Sequence, residues 1–463
     1  MTRRVVIIGG GIAGLAAAYR VHLEGLKQSS AFEVLLLESS PQLGGKVRTL
    51  NKDGELFEQG PNAFLDPQPA LAELVALSGV DLLDASQEAK RRYLCHDRTL
   101  HELSPHPWRL FRTGLLSAPA VLRILCERFI GPRRSDHGNR PTEGWGDESV
   151  DAFIGRRFGT RAASLFAGPM VSGVFAGDAR KLSISACFPK IVALEDQYGS
   201  VIKALRSRRQ SGEPTPTLHA PINGMQSLPA ALAEKAPFQI RTSTRVLGLS
   251  AKPEGWSILI EGEGSLDADA VIVATPASAA AKLLAEHSSA TQAALSKITS
   301  PHLAVANLVY KEADSLRVPI GFGALHSAGR SSDILGVLNE SHIFPARRSD
   351  RRLHLRAMLG GATRPDLASK SDSELLGLAT QELQAIHGFK SAPALAQITR
   401  WQESIPQYHL GHQRLIEDAT HGLRAAATPP IKLAGNYLSG VSLSDTAASG
   451  RAAGDAILQQ LQT

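Results

Sequence analysis

Three glycines, Gly9, Gly11 and Gly14, stand between an unbroken apolar run and a run of strong helix formers, and no other feature restricts this chain so tightly. Val5, Val6, Ile7 and Ile8 read as a strand buried on both faces, and Leu15, Ala16, Ala17 and Ala18 carry on as a helix. In a strand, tight turn and helix of this spacing each glycine has its own task. Gly9 permits the sharp turn, Gly11 lets a pyrophosphate approach the backbone, and Gly14 lets helix and strand pack closely. The free N–H groups at the helix start, around Ala13, then face the anion. A second apolar strand, residues 34–37, ends at Glu38, roughly 20 positions beyond the glycines, where an acid can accept hydrogen bonds from a ribose. A dinucleotide-binding unit is therefore expected, with Glu38 as its ribose ligand.

The next residues narrow the choice of dinucleotide. Residues 39–48 read SSPQLGGKVR, and the pair Gly44-Gly45 followed by Lys46 and Arg48 resembles the second flavin motif of the FAD-dependent amine oxidase superfamily. Simple nicotinamide enzymes do not usually continue this way, so FAD is the expected cofactor.

A chain of 463 residues can bury a large core and form about two to four domains or subdomains. The net charge of +6 is a mild basic excess that suits anionic lipid or a carboxylate-bearing substrate as well as nucleic acid. The basic clusters Arg206-Arg208-Arg209 and Arg347-Arg348-Arg351-Arg352 lack interleaved aromatics, so they read as solvated charge and no nucleic-acid partner is expected. Cys95, Cys126 and Cys187 are too far apart for a CxxC motif, which points to buried free thiols in a reducing compartment. The fifteen histidines contain no HExxH or comparable spacing, so no metal is expected. The apolar start is glycine-interrupted and reads as neither signal peptide nor spanning helix, and no other stretch reaches about 18 uninterrupted apolar residues.

Further along, residues 55–65 read as a strand entering a turn at Gly60-Pro61, and residues 69–78 as a short amphipathic helix. Residues 107–130 carry apolar positions bordered by Arg109, Arg112, Arg123 and Arg128, as two short helices broken near Pro119. Such a face suits a membrane interface or packing on the rest of the protein. Residues 132–146 and 210–221 read as polar loops, the first of them mobile, with a helical region from Ser149 to Ser207 between them. Strands are expected at 239–242, 246–249, 256–260 and 270–274, then a second sheet from 303–310, 321–325, 334–338 and 354–359, with helices at 279–300 and 371–388. The end of the chain repeats the opening design: a strand at 431–433, a glycine turn at Gly435, and a closing helix over 444–461. A helix N-terminus aimed at a flavin ring would stabilise the negative charge that develops there on reduction.

Taken together, GGGIAGLAAAY at 9–19, LGGKVRT at 43–49, GPNAFL at 60–65, VSGVFAGDARKLSISACF at 171–188, NGMQSLP at 223–229, IPQYHLGH at 405–412 and AGNYLSGVSL at 434–443 resemble the oxygen-dependent protoporphyrinogen oxidase family over essentially the whole length. The resemblance implies an α/β and α+β architecture of three parts. These are a Rossmann-like FAD-binding domain of the amine oxidase type (1–70, 221–278 and 405–463), a mixed-sheet substrate domain (71–90 and 279–404) and a helical membrane-docking domain (91–220). It implies removal of six electrons from a porphyrinogen, with O2 reoxidising the flavin to give peroxide. By the same resemblance the flavin is held by Gly9, Gly11, Ala13, Gly14, Glu38, Gly45, Lys46, Arg48, Gly60, Pro61, Val246, Gly435, Gly440 and Val441. Arg92 matches the position that pairs with a propionate, and Leu325, Leu335 and Met358 match positions that sandwich the macrocycle. Met358 departs from the aromatic residue of some relatives. Gly173, with Ala176 and Gly177, leaves room for the ring, and Asn62 matches a residue that faces the flavin and orients the substrate. Residues 444–450 read SDTAASG, a departure from the GRC-type ending of many relatives.

The resemblance also implies a cytoplasmic protein attached peripherally to the inner face of the cell membrane through residues 108–130, and it allows a homodimer. Coproporphyrinogen oxidation by the same fold differs only in the number of substrate carboxylates. A flavin amine oxidase or carotenoid desaturase, and a non-catalytic FAD-binding protein, complete the alternatives. An amine oxidase would want an aromatic cage, for which residues 433–444 offer only Tyr437.

Overall fold

The computed structural model describes residues 2–27, 32–104, 107–131, 147–210, 216–315, 317–327, 332–348, 352–426 and 429–462, without the side chains of residues 107, 208–210, 312 and 315. The expected loop at 132–146, part of that at 210–221, and Arg351 lie outside the described residues. The chain forms two compact units, one from Met1–Asp84, Thr217–Thr299 and Gln413–Thr463, the other from Ala85–Pro216 and Ser300–His412.

The first unit is built on a five-stranded parallel sheet with the order Gln239–Arg241, Phe32–Leu37, Arg3–Ile8, Ala270–Val273, Ile431–Leu433. Its central strands are almost wholly apolar and buried, as expected of parallel strands covered on both faces. Helices Ile12–Lys27 and Leu443–Gln462 pack together, and a Cβ on Gly450 would stand 2.0 Å from the carbonyl oxygen of Ala13. A three-stranded antiparallel meander, Val246–Lys252, Gly255–Ile260 and Gly264–Ala268, shares a hydrophobic core with the parallel sheet. Trp256 is fully buried in that core beside Val6, Val271 and Ala280.

Two segments join this unit rather than the substrate sheet expected for them. Helix Pro69–Ser78 packs on helices Ser227–Glu234 and Leu443–Gln462, and helices Ala277–Leu283 and Ser289–Ser296 bury Ala280, Leu284 and Leu295 in the core described above. The end of the expected loop at 210–221 is the strand Leu218–Pro221, which pairs with Phe64–Leu65 and Leu82–Asp84. His219 on that strand lies 2.8 Å from both Asp66 and Asp84, tying the three strands together.

The second unit holds a seven-stranded mixed sheet ordered Leu395–Trp401, Leu303–Tyr310, Leu353–Gly360, Ile334–Asn339, Gly323–His326, Tyr93–His96, Thr99–Glu102. The last two strands were expected within a separate helical domain. Their ladder to Gly323–His326 places them in the sheet, and the helical segment belongs to the same unit. Residues 405–412, expected with the FAD-binding domain, also belong here. One face of the sheet is covered by helix Asp372–His387, whose Leu375, Ala379 and Leu383 meet Ala306, Leu308 and Leu355. Ser371 and Glu374 form a reciprocal cap at the start of this helix, and Gly388 takes the left-handed conformation that ends it.

In the helical segment, Pro107–Arg112 and Ala118–Leu125 are separate helices, but the break falls at residues 113–117 rather than at Pro119. Pro119 sits in the first turn, where a missing N–H breaks no helical bond. Leu110, Leu115, Leu116 and Val121 face inward. Among the described residues no helix is long and apolar enough to cross a membrane.

The segment is held internally by a buried ion network. Arg157, wholly buried, pairs with Glu127 and Glu195 and donates to the carbonyls of Ile130 and Gly199. Glu127 also accepts from the Ser200 hydroxyl and the Val201 amide. Removing one partner of a buried pair leaves a charge without compensation. Glu127→Ala is therefore expected to lower stability by about 3–5 kcal/mol, read as a shift of the urea denaturation midpoint.

Candidate functional site

In an open parallel sheet a ligand binds outside the carboxyl ends of the strands, where the loops diverge. Four such ends stand side by side in the first unit. Gly9 donates to the Leu37 carbonyl, Ala274 to Ile8, and Ala434 to Val273, so the turns that leave these strands are held in one row. Gly9 has φ of +109°, a conformation that residues with a Cβ avoid. A Cβ on Gly14 would lie 1.8 Å from the Gly9 carbonyl oxygen, whereas a Cβ on Gly11 would meet no atom within 4 Å. The first glycine pair is thus needed by the fold, and Gly11 faces open space at the start of helix Ile12–Lys27. That contrast is what close approach of a pyrophosphate requires.

Glu38 is buried at the end of strand Phe32–Leu37, its carboxylate accepting from the Gly10 and Ser40 amides, both at 2.7 Å. The Ser39 hydroxyl also donates to it at 3.3 Å, and since a carboxylate has about four lone-pair sites, one remains for a ribose. The Thr244 amide donates to the Glu38 carbonyl, which brings the start of strand Val246–Lys252 to the same edge. The Gly44-Gly45 pair closes over the first turn: Gly44 donates to the Gly10 carbonyl, and a Cβ on Gly45 would come within 3.4 Å of Gly11. Arg48 donates to Gly45, and Gln59 to Arg48, which carries the path to Gly60 and Pro61. At the other end, Gly435 donates to Ser449 of the closing helix, and Ser442 caps that helix start through Asp445, beside Gly440 and Val441.

The polar atoms of this unit that are buried without a hydrogen-bond partner among the described residues include the side-chain nitrogen of Asn62 and the hydroxyl of Thr275. Thr275 follows strand Ala270–Val273 beside Gly9 and was not singled out from the sequence. Its one signal there was its position at the end of an apolar strand.

In the second unit, strand alternation separates two faces. His326 lies 3.7 Å from Glu382 on the helix-covered side, where burial pushes it down to about 4, while Leu325 points the other way. On that opposite face Leu303, Leu335 and Ala176 cluster with Met358, and Leu325 meets Gly173, on which a Cβ would stand 2.6 Å from its methyl carbon. Leu325, Leu335 and Met358 therefore emerge on one face of the sheet, beside Gly173 and Ala176. Gly173 is exposed, and Leu325 and Met358 are half-buried. Arg92 is exposed at the start of strand Tyr93–His96, beside the strand bearing Leu325, with its guanidinium 5.2 Å from the Phe322 ring. Among the described residues no carboxylate pairs with it.

Among the described residues no cluster of three or more His, Cys, Asp or Glu side chains could hold a metal ion. Burial pushes the Cys95 thiol up to about 11 and that of Cys187 to about 12, which keeps both protonated. Cys95 is buried, and Cys126 and Cys187 are partly so.

The fold and the strand-end site define a class before any particular protein. Residues 12–458 match the family of flavin containing amine oxidoreductases. Human (Homo sapiens) protoporphyrinogen oxidase is 33% identical, the alignment covering 99% of each chain. Coproporphyrinogen III oxidase of Bacillus subtilis (strain 168) is 29% identical over 97% of each. A solved structure from Exiguobacterium sp. 255-15, whose own assignment as a protoporphyrinogen oxidase is provisional, superposes with a TM-score of 0.84 at 25% identity and covers 100% of each chain. The chain belongs to the protoporphyrinogen oxidase family of the flavin containing amine oxidoreductases; it is an oxidoreductase, and its cofactor is FAD.

The two glycines give a paired test. Gly11→Ala is expected to leave the thermal stability of the apoprotein unchanged while FAD affinity falls at least about tenfold, because the added methyl stands where the cofactor approaches. Gly14→Ala is expected to destabilise the apoprotein itself by about 1–3 kcal/mol or more. Flavin titration and thermal denaturation of both variants read the difference.

Proposed function

We propose that the chain oxidises protoporphyrinogen IX to protoporphyrin IX with O2 as acceptor, six electrons leaving each substrate and three molecules of peroxide forming. The observation that carries this reading is a partly exposed apolar wall, Gly173, Ala176, Leu325, Leu335 and Met358, in the same unit as a guanidinium that no carboxylate among the described residues neutralises. A porphyrinogen is a broad apolar ring with carboxylates at one edge, and it needs a flat apolar surface plus a cation. FAD, when bound, accepts hydride equivalents from the ring carbons.

The residues of the first unit take the following parts. Gly9, Gly11, Ala13 and Gly14 receive the pyrophosphate, Glu38 the ribose, and Val246 the adenine end. Gly45, Lys46, Arg48, Gly60, Pro61, Gly435, Gly440 and Val441 receive the rest of the cofactor. Asn62, with an amide nitrogen that no acceptor among the described residues satisfies, orients the substrate. Tyr437 is fully buried in the core, which supports this reading over an amine oxidase with an aromatic cage.

Oxidation of coproporphyrinogen III is the second reading, favoured by the likeness to the Bacillus subtilis protein. Turnover of each substrate in air, with chromatography of the porphyrin formed and measurement of peroxide, decides between them. Protoporphyrin is the expected product, and turnover of coproporphyrinogen alone would transfer the assignment. Arg92→Ala is expected to raise KM about tenfold or more with kcat little changed, since a hydrogen bond to a charged group is worth about 1.5–3 kcal/mol. An unchanged KM would place the propionate elsewhere.

Peripheral attachment to the inner face of the cell membrane is part of the proposal. Trp108, Phe111, Leu122 and Phe129 are exposed, and Arg128 lies over the Phe129 ring at 4.6 Å. Apolar side chains with arginines at their border suit an interface of anionic lipid. The protein should float with anionic vesicles at low salt, and Leu122→Glu with Phe129→Glu should abolish this. Wild-type protein that stays at the bottom of the gradient would contradict it.

A further inference from the structure

The segment IPQYHLGH has no part in the roles assigned above, yet it runs beside the wall. Ser183 donates to the Tyr408 carbonyl at 2.8 Å and Leu410 to that of Lys181 at 3.0 Å, and the Tyr408 ring packs on Phe175. Within the segment Gln407 is 2% exposed. Its side-chain nitrogen donates to the Phe175 carbonyl at 2.8 Å and to Ile405 at 3.1 Å. Phe175 is the last residue of helix Gly168–Phe175, and the last four carbonyls of a helix have no donor within it. Ala176 follows with φ of +49°, a conformation that alanine keeps only when its surroundings impose it.

The turn is gripped on both sides. Ala362, just past the end of strand Leu353–Gly360, donates to the Ala176 carbonyl at 2.8 Å, while Gln407 holds the preceding carbonyl. Gly177 closes against the same amide: a Cβ there would stand 2.5 Å from the Gln407 side-chain oxygen and 2.6 Å from Leu182. Among the described residues that oxygen has no hydrogen-bond partner. An unsatisfied buried polar atom calls for an explanation, and here the same amide's nitrogen is committed to the Phe175 and Ile405 carbonyls.

We propose that Gln407 is a positioning residue for the macrocycle, fixing the helix end and turn that present Gly173 and Ala176 to the substrate. The inference rests on the porphyrinogen reading above. Gln407→Leu removes the donor, and KM for protoporphyrinogen is expected to rise on the order of tenfold, the effect of stranding a buried carbonyl. Flavin content and the rate at which O2 reoxidises dithionite-reduced flavin should stay at wild-type values.

Gln407→Glu supplies the readout that a merely structural role would not move. Its carboxyl can donate to the Phe175 carbonyl only when protonated, so its KM should fall back toward the wild-type value as pH is lowered, while that of Gln407→Leu stays high. If Gln407→Leu does not fold, the pH profile of Gln407→Glu decides alone. A wild-type KM in Gln407→Leu, or a KM in Gln407→Glu that does not change with pH, overturns the inference while the porphyrinogen reading stands. Wild-type protein that turns over neither porphyrinogen overturns both.

Discussion

Backbone lies directly on backbone where helix Ile12–Lys27 leaves strand Arg3–Ile8, and the cofactor site depends on that contact. A Cβ on Gly14 would sit 1.8 Å from the Gly9 carbonyl, and one on Gly450 2.0 Å from that of Ala13. Two helices from opposite ends of the chain are thereby drawn onto one sheet edge without side chains between them. The strand ends at Ile8, Leu37, Val273 and Leu433 are consequently aligned, and the amides that leave them point to a common edge. Close packing of this kind tolerates little change, because interiors are packed to crystal-like density.

The second unit obtains its two functions from strand alternation. One face of the seven-stranded sheet is sealed by helix Asp372–His387 and keeps His326 and His387 neutral by burial, both pushed to about 4. The other face, where Leu325, Leu335 and Met358 emerge, is met by helix Gly168–Phe175. A five-residue π-helical stretch, Ala163–Ala167, leads into that helix, a distortion often found beside functional sites.

Much of this was legible in the residues. The glycine turn, Glu38, the helix at Pro69–Ser78 and the helix between Ser371 and Gly388 are encoded locally by capping, turn and periodicity signals, and each lies where those signals put it. Strands Gly264–Ala268 and Leu395–Trp401 were not, since their residues mix polar and apolar positions and only the neighbouring strands give them a partner. The unit boundaries were misplaced for the same reason: Tyr93–His96 joins its sheet through a parallel pairing with residues more than two hundred positions away. Gln407 lies in the motif at 405–412 but has no role there that the sequence shows, and Thr275 only ends an apolar strand, because the interest of both lies in a polar atom left without a partner after folding. That Leu325, Leu335 and Met358 emerge on one face was not legible either, because it follows from the strands bearing them sharing one sheet.

The central claim is that a flavin gripped at the strand ends of the first unit is reduced by a porphyrinogen. Anaerobic mixing of the FAD-loaded protein with protoporphyrinogen IX, following flavin absorbance and porphyrin fluorescence together, tests it most directly. The account predicts that oxidised-flavin absorbance is lost as porphyrin fluorescence appears. Flavin that stays oxidised in excess protoporphyrinogen and in excess coproporphyrinogen would contradict it.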